Sequence, residues 1–113
     1  MLESSSLLLR AYGSSPQMKI IDYLMDFPIN DFTQKEIIEA LGMSKTTFYK
    51  YFDNLVEFGM IRVNRKIANS KLYAINLKNP LVQSIKKNVD YLSEKIADES
   101  LEKISVKTKN KKR

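Results

Sequence analysis

The chain has 113 residues, of which 43% are hydrophobic, and a formal net charge of +6. This length and composition predict one folded domain rather than a disordered chain. The sequence has no histidine and no cysteine, so it lacks the commonest general base, a thiolate nucleophile and the soft metal ligands. We therefore predict a protein that is not an enzyme and that holds no metal and no cofactor.

The amino terminus does not resemble a targeting signal. Residues 1–12 carry Glu3 early and lack a cleavage pattern, and a secretory signal needs both a basic start and such a pattern. No apolar run approaches the roughly 20 residues that cross a bilayer. We expect a cytoplasmic, nucleoid-associated protein without a membrane partner.

Residues 1–14 predict an N-terminal arm or a short helix from about Ser5 to Arg10, with a frayed terminus as the alternative. The domain proper, residues 15–78, then opens on Ser15-Pro16, a helix cap followed by proline at the first helical position. Pro28 ends this helix. Residues 31–32 are candidates for a short first strand.

Residues 32–59 predict two short helices joined by a tight turn. Thr33 is a suitable N-cap, and Glu36 three residues later completes a capping box. Gly42 supplies a left-handed stop, and Ser44 caps the next helix almost at once. Two helices this close, with a glycine between them, must cross steeply, as in a helix-turn-helix.

The second of these helices, Lys45 to Phe58, presents two different faces. Phe48, Phe52 and Leu55 are spaced for burial, and the intervening polar residues point outward. Two alternating runs follow, 60–65 and 71–77, with a short basic loop at 66–70. Helix, turn, helix and basic hairpin are the order of elements in a winged helix.

The segment from about Ser15 to Pro80 resembles the winged helix-turn-helix domain of small prokaryotic regulators of the MarR/PadR type, especially the compact archaeal ones. The resemblance rests on the run from Glu36 to Ile61, including Leu41-Gly42-Met43-Ser44 and Phe58-Gly59-Met60-Ile61. It implies a mainly α (α+β) fold, a winged helix-turn-helix with a two- to three-stranded wing and a long C-terminal dimerisation helix. It also implies DNA binding without indicating a target.

Asn79-Pro80 predicts the start of that long helix, over residues 79–105. Its apolar residues repeat at spacings of three and four, as in a coiled-coil seam. We predict that this seam forms a homodimer interface, the alternative being that the helix packs over its own core. The interface residues are Val82, Ile85, Val89, Leu92 and Ile96. Residues 106–113 are predicted to be a disordered basic tail.

Positive charge is concentrated in two segments. Residues 43–78 contain seven basic and two acidic residues and residues 107–113 contain five basic and none acidic, whereas residues 1–42 contain three basic and six acidic. Such an uneven distribution is typical of a nucleic-acid-binding surface.

These observations predict a sequence-specific transcriptional regulator that binds double-stranded DNA as a homodimer. Helix 45–58 enters the major groove, and wing 65–71 follows the minor groove or the backbone. The predicted DNA-binding residues are Ser44, chiefly as a cap, Lys45, Thr46, Thr47, Tyr49, Lys50, Asn54, Arg65, Lys66, Asn69, Ser70 and Lys71.

Two other roles fit the same fold. One is an architectural or partition-type protein that spreads along DNA, and the other is a winged helix that binds only protein. The sequence identifies neither the DNA target nor a small-molecule effector.

Overall fold

The computed structural model describes the backbone of residues 6–111 and the side chains of residues 6–101. The predicted fold is confirmed: the chain is helix-rich, with a helix-turn-helix, a two-stranded antiparallel wing and a long last helix. The elements in chain order are α1 (Leu7–Tyr12), α2 (Pro16–Asp26), α3 (Gln34–Leu41), α4 (Lys45–Glu57), β1 (Ile61–Ile67), β2 (Ser70–Ile75) and α5 (Pro80–Lys111).

The helices begin at the capping residues that the sequence indicates. Ser15 caps α2, with Pro16 at its first position. At the start of α3 the Glu36 backbone N–H donates to Thr33 Oγ1 at 3.1 Å and the Thr33 N–H donates to Glu36 Oε1 at 2.8 Å, which completes the capping box. Gly42 ends α3 with φ of +62°, a conformation that glycine adopts without steric cost.

The N-terminal segment folds as a helix rather than a frayed end. Helix α1 begins at Leu7, two residues after the predicted start, and Ser6 is its N-cap. Leu8 is buried and belongs to the hydrophobic core. The segment is therefore part of the folded body from Ser6 onward.

The core is built from one face of each helix and the inner ends of the two strands. Phe48, Phe52 and Leu55 of α4 are buried, as their spacing predicts. The Phe52 ring stacks on Phe48 with centroids 4.7 Å apart and meets Tyr73 edge-on at 4.9 Å. With its apolar face held in this way, α4 must present its other face to solvent. The remaining fully buried large side chains are Ile20, Ile21, Leu24, Ile37, Ile61, Ile75 and Val82.

The wing is longer and its loop shorter than predicted. Strand β1 runs to Ile67 and β2 starts at Ser70, so the loop is only Ala68-Asn69, and Lys66 lies in a strand. The strand alternation continues through the basic residues, which extended backbone tolerates when their side chains face water. Phe32 forms a single bridge to Tyr73, at the position predicted for a short first strand.

Helix α5 extends past the predicted boundary at residue 105. Residues 106–111 are helical, so the prediction of disorder is wrong for their backbone; residues 112–113 and the side chains of the tail lie outside the described residues. The reason is that no glycine or proline occurs between residues 81 and 111 to stop the helix. No helix within residues 6–111 is long and apolar enough to cross a bilayer.

The predicted dimer seam faces two environments. Val82 is completely buried in the core of its own chain, and Ile85 and Val89 pack against that core. Leu92 is half-buried, whereas Ile96 is 40% exposed. Val82 has no accessible surface to give to a second copy, because the first turn of α5 closes the core, and we remove it from the predicted interface.

Candidate nucleic-acid interface

The exposed face of α4 carries polar and cationic side chains in its first two turns. Lys45, Thr46, Tyr49 and Lys50 are all exposed. They point outward because Phe48 lies between them on the helix and is fully buried. The Tyr49 ring stands nearly perpendicular to Phe48, at 79° with 5.4 Å between centroids. This contact holds the ring on the body while its hydroxyl stays accessible.

The other predicted α4 residues differ in availability. The Ser44 hydroxyl accepts a hydrogen bond from the Thr47 N–H at 3.2 Å, so its oxygen serves as the N-cap that the sequence predicts. Thr47 is half-buried, and Asn54 is exposed one turn beyond Lys50. The Lys50 ammonium lies 5.5 Å from the ring centroid of the half-buried Tyr51, within the range of a cation–π contact.

The wing places two lysines directly opposite each other. Lys66 of β1 and Lys71 of β2 are cross-strand partners, next to the loop that contains Asn69. Like charges in directly opposed strand positions destabilise a sheet unless an anion screens them. The tip of the wing is thus a small cationic surface, completed by the exposed Ser70.

In the described part of the chain, the lysines of α4 and the wing tip lack acidic partners, whereas two lysines of α5 have them. Among side chains 6–101, Lys45, Lys50, Lys66 and Lys71 form no ion pair. On α5, by contrast, Lys86 pairs with Asp90 and Lys95 with Glu99, each at 3.3 Å. The cations of α4 and the wing tip therefore have no internal acid to compete with an external anion.

Arg65 differs from the other predicted wing cations because it is held by an acid. Its Nε donates to Asp31 Oδ2 at 2.7 Å and its Nη2 donates to Asp31 Oδ1 at 3.2 Å. The sequence does not indicate this pair, because the fold brings a loop residue 34 positions away into contact. The hydrogen bonds from Arg65 and Asn64 hold the pKa of the Asp31 carboxyl below its usual value. The pair consequently stabilises the fold at neutral pH, and this contribution is lost as the pH falls through the lowered pKa.

A separate cleft lies between α1, α2 and α5. Its volume is about 360 Å³. Leu8, Met25 and Val89 line it together with the carboxylates of Asp26 and Asp90. Burial, reinforced by the nearby charge of Asp22, raises the pKa of Asp26. The sequence did not indicate this cleft, because its walls come from three helices distant in the chain.

Solved structures with the same fold are transcriptional regulators. The chain superposes on a possible transcriptional regulator from Methanosarcina mazei with a TM-score of 0.54 and 15% identity, over 79% of this chain and 78% of that one. A MepR variant from S. aureus bound to an oligodeoxyribonucleotide gives a TM-score of 0.59 and 18% identity, over 91% and 80%. The AntR antimony-specific transcriptional repressor gives 0.54 and 14%, over 85% and 93%.

The chain has the winged-helix fold of these regulators. No protein-family model matches the winged-helix chain, and no curated protein matches it either. Among the described residues, no group of three or more acidic, histidine or cysteine side chains is arranged to hold a metal ion.

Proposed function

We propose that the winged-helix chain is a transcriptional regulator that binds a specific double-stranded DNA site as a homodimer. Helix α4 enters the major groove, and the wing contacts the adjacent minor groove or backbone. The observation that carries the proposal is that the exposed lysines of α4 and of the wing tip, Lys45, Lys50, Lys66 and Lys71, have no acidic partner among the described side chains. Exposed cations without internal acidic partners, on a helix and a hairpin, are suited to contact phosphates along a groove.

The α4 residues divide into base-reading and phosphate-binding groups. Thr46, Tyr49 and Lys50 are exposed near the start of the helix, where recognition helices contact base edges. Lys50 donates to guanine or phosphate, and the Thr46 methyl group packs on thymine. Lys45, at the first turn, contacts phosphate together with the amino end of the helix dipole. Thr47 and Asn54 assist at the backbone.

The wing supplies the second set of phosphate contacts. Lys66 and Lys71 are held side by side by the strand register, and one phosphate between them relieves their mutual repulsion. Asn69 and Ser70 offer uncharged hydrogen-bonding groups at the tip. Arg65 donates from the nitrogen that Asp31 leaves free.

The exposed part of α5 provides the dimer contact. The apolar seam continues past the core at Leu92 and Ile96, and a second copy of the same helix covers it. Two copies then present two α4 helices to half-sites about 34 Å apart, one turn of DNA.

The decisive experiment compares two double variants on the same DNA. A duplex is first selected from random DNA by binding to the wild-type chain, and its Kd is measured by fluorescence anisotropy over a range of salt concentrations. We expect Lys45→Ala/Lys50→Ala to raise Kd by about tenfold or more, because each lost contact weakens binding. The slope of log Kd against log salt should fall by up to about two units.

The matched control is Lys19→Ala/Lys87→Ala. It removes the same charge from exposed positions on α2 and α5, and its Kd should change by less than half as much on a logarithmic scale. Equal losses for the two double variants would contradict the assignment of α4. A footprint that grows along the duplex, instead of one discrete protected site, would favour the architectural role.

A further inference from the structure

A bulge in β1 turns two consecutive side chains toward one carboxylate. Val63 pairs with Tyr73 and Arg65 pairs with Leu72, so Asn64 is an extra residue without a cross-strand partner. A bulge of this kind re-aims the side chains beside it. Both Asn64 Nδ2, at 2.8 Å, and Arg65 Nε, at 2.7 Å, donate to the same oxygen of Asp31.

The position of Asp31 is fixed by the sheet. The next residue, Phe32, exchanges two backbone hydrogen bonds with Tyr73, of 2.9 and 2.7 Å. Tyr73 also pairs with Val63 of β1, so β2 lies between the Asp31 segment and β1. The carboxylate therefore reaches across β2 to the outer strand and ties the wing to the body of the domain.

The pair is asymmetric in its exposure. The Asp31 side chain is 9% exposed and the Arg65 side chain is 58% exposed. Arg65 uses only Nε and Nη2 to bind the carboxylate, and both N–H groups of Nη1 are without a hydrogen-bond partner among the described residues. An arginine can thus keep this pair and donate to a phosphate at the same time, because its five donors lie in one plane.

The arrangement extends to a second arginine. Arg62 Nη1 donates to Asn64 Oδ1 at 2.8 Å, and Asn64 is the residue that also donates to Asp31. Two guanidinium groups on the outer strand are thereby oriented, directly or through one amide, by a single nearly buried acid.

We propose that Asp31 is a positioning residue for DNA binding, which fixes the guanidinium of Arg65, and through Asn64 that of Arg62, in the orientation that meets the phosphate backbone. This inference rests on the proposed function and adds to it a residue outside the groove-facing elements. Fixing a long side chain in advance removes most of the rotamer entropy otherwise lost on binding.

For a variant that lacks the Asp31 charge, the positioning proposal and simple charge counting predict opposite changes in DNA affinity. Replacing Asp31 by asparagine raises the net charge of the protein by one, and long-range attraction to DNA then predicts tighter binding. If the acid positions Arg65, the same change instead weakens binding, because the bidentate pair is lost. The sign of the effect therefore decides between the two.

The experiment measures Kd on the selected duplex for Asp31→Asn, Arg65→Gln and the double variant. We expect Asp31→Asn to raise Kd about three- to tenfold, a typical range of coupling between contacting residues, and to have no further effect when Arg65 is already replaced. The control is Asp98→Asn, which adds the same charge on the exposed face of α5 and should leave Kd unchanged or slightly lower it.

A measurement without DNA keeps the proposal testable if the variant is less stable. In the free wild-type protein the Arg65 Nε–H should give a sharp, slowly exchanging NMR signal, which Asp31→Asn should broaden or abolish in a chain that circular dichroism shows to be folded. A persistent sharp signal would overturn the proposal.

The remaining outcomes are also decisive. Unchanged or tighter binding by Asp31→Asn would overturn the positioning role, and so would an equal loss in the presence and absence of Arg65. If the wild type binds DNA and depends on Lys45 and Lys50, either result removes only this inference. If the wild type binds no duplex, the proposed function and this inference fail together.

Discussion

Ala68 occupies a conformation that suits glycine better. It is the first residue of the two-residue wing loop and has φ of +54°, and it is the one non-glycine residue with positive φ among the described residues. The steric conflict between Cβ and the backbone costs an alanine about 1–2 kcal/mol in the left-handed region. Strain of this size at the tip of a wing is stored where the chain is proposed to meet DNA.

Replacing Ala68 by glycine should stabilise the fold. We expect Ala68→Gly to raise the free energy of unfolding by about 0.5–1 kcal/mol, because relief of the positive φ exceeds the added entropy of glycine in the unfolded chain. Urea titration followed by circular dichroism measures the change. The control is Asn69→Gly, at the neighbouring loop position where φ is not positive, and it should lower stability. A loss of stability in Ala68→Gly would contradict the strained loop.

At this scale the sequence predicts single side chains only where local periodicity governs them. The outward positions of Tyr49 and Lys50 follow from the burial of Phe48, which lies one and two residues before them on the same helix. The partner of Arg65 does not follow, because it depends on an unseen bulge at Asn64 and on a loop residue far away in the chain. The alternation of apolar and polar residues in the strand indicates neither the bulge nor the distant partner.

At the level of the elements, the Asn79 side chain joins the end of α4 to the start of α5. Asn79 Oδ1 accepts from the N–H groups of Leu81 at 2.9 Å and Val82 at 3.2 Å, which caps α5. Its Nδ2 donates to the carbonyl of Phe58 at 3.0 Å. Asn79 therefore joins the end of α4 to the start of α5, although the two strands of the wing separate these helix ends in the sequence.

Loss of this amide should loosen both helix ends. We expect Asn79→Ala to lower the free energy of unfolding by about 1–2 kcal/mol, since a cap is lost and the Phe58 carbonyl loses its donor. Asn79→Ser is the matched variant, because it keeps a capping oxygen and loses the reach to Phe58, and its loss should be intermediate. Chemical denaturation compares the three proteins. An equal loss for alanine and serine would assign the whole effect to the contact with Phe58.

Helix boundaries were well predicted where a side chain sets them, and poorly where none does. Ser15, Thr33, Ser44 and Asn79 cap helices at the expected positions because capping is a contact within three residues. The far end of α5 has no such signal, and its helix continues beyond the expected stop. The predicted wing loop is too long because Lys66 and Ser70 at its two ends resemble loop residues in composition, although both lie in paired strands.

At the level of the whole molecule, the apolar seam of α5 lies partly in the core of its own chain and partly outside it. A run of apolar residues at spacings of three and four predicts that the face is covered, without indicating by what. The first part, from Val82 to Val89, is covered by the chain's own core. The second part leaves that core, because 32 helical residues extend about 48 Å and outrun a small domain. Packing over its own core, one of the alternatives raised by the sequence, thus holds for the first part of the helix, and the homodimer interface stays a prediction for the second part.

The uncovered part of the seam allows the proposed homodimer to be tested with a single charge. Ile96 is a seam position and is 40% exposed in one chain, so Ile96→Glu leaves the core intact and places a carboxylate in the proposed interface. Burying an unpaired charge costs several kcal/mol, and we expect the dimer Kd to rise at least about a hundredfold. Sedimentation equilibrium should then change from twice the 13.1 kDa of one chain toward a single copy.

The neighbouring residue provides the control for this variant. Ala97→Glu adds the same charge to the same turn of α5, on a side chain that is also exposed, but off the seam, so the dimer should persist. DNA binding supplies a second readout: Ile96→Glu should weaken binding to a duplex with two half-sites far more than binding to one half-site, because only the former depends on linking two copies. A wild-type chain that sediments as one copy at micromolar concentration, or equal behaviour of the two variants, would contradict the dimer, and α4 would then have to read its site alone.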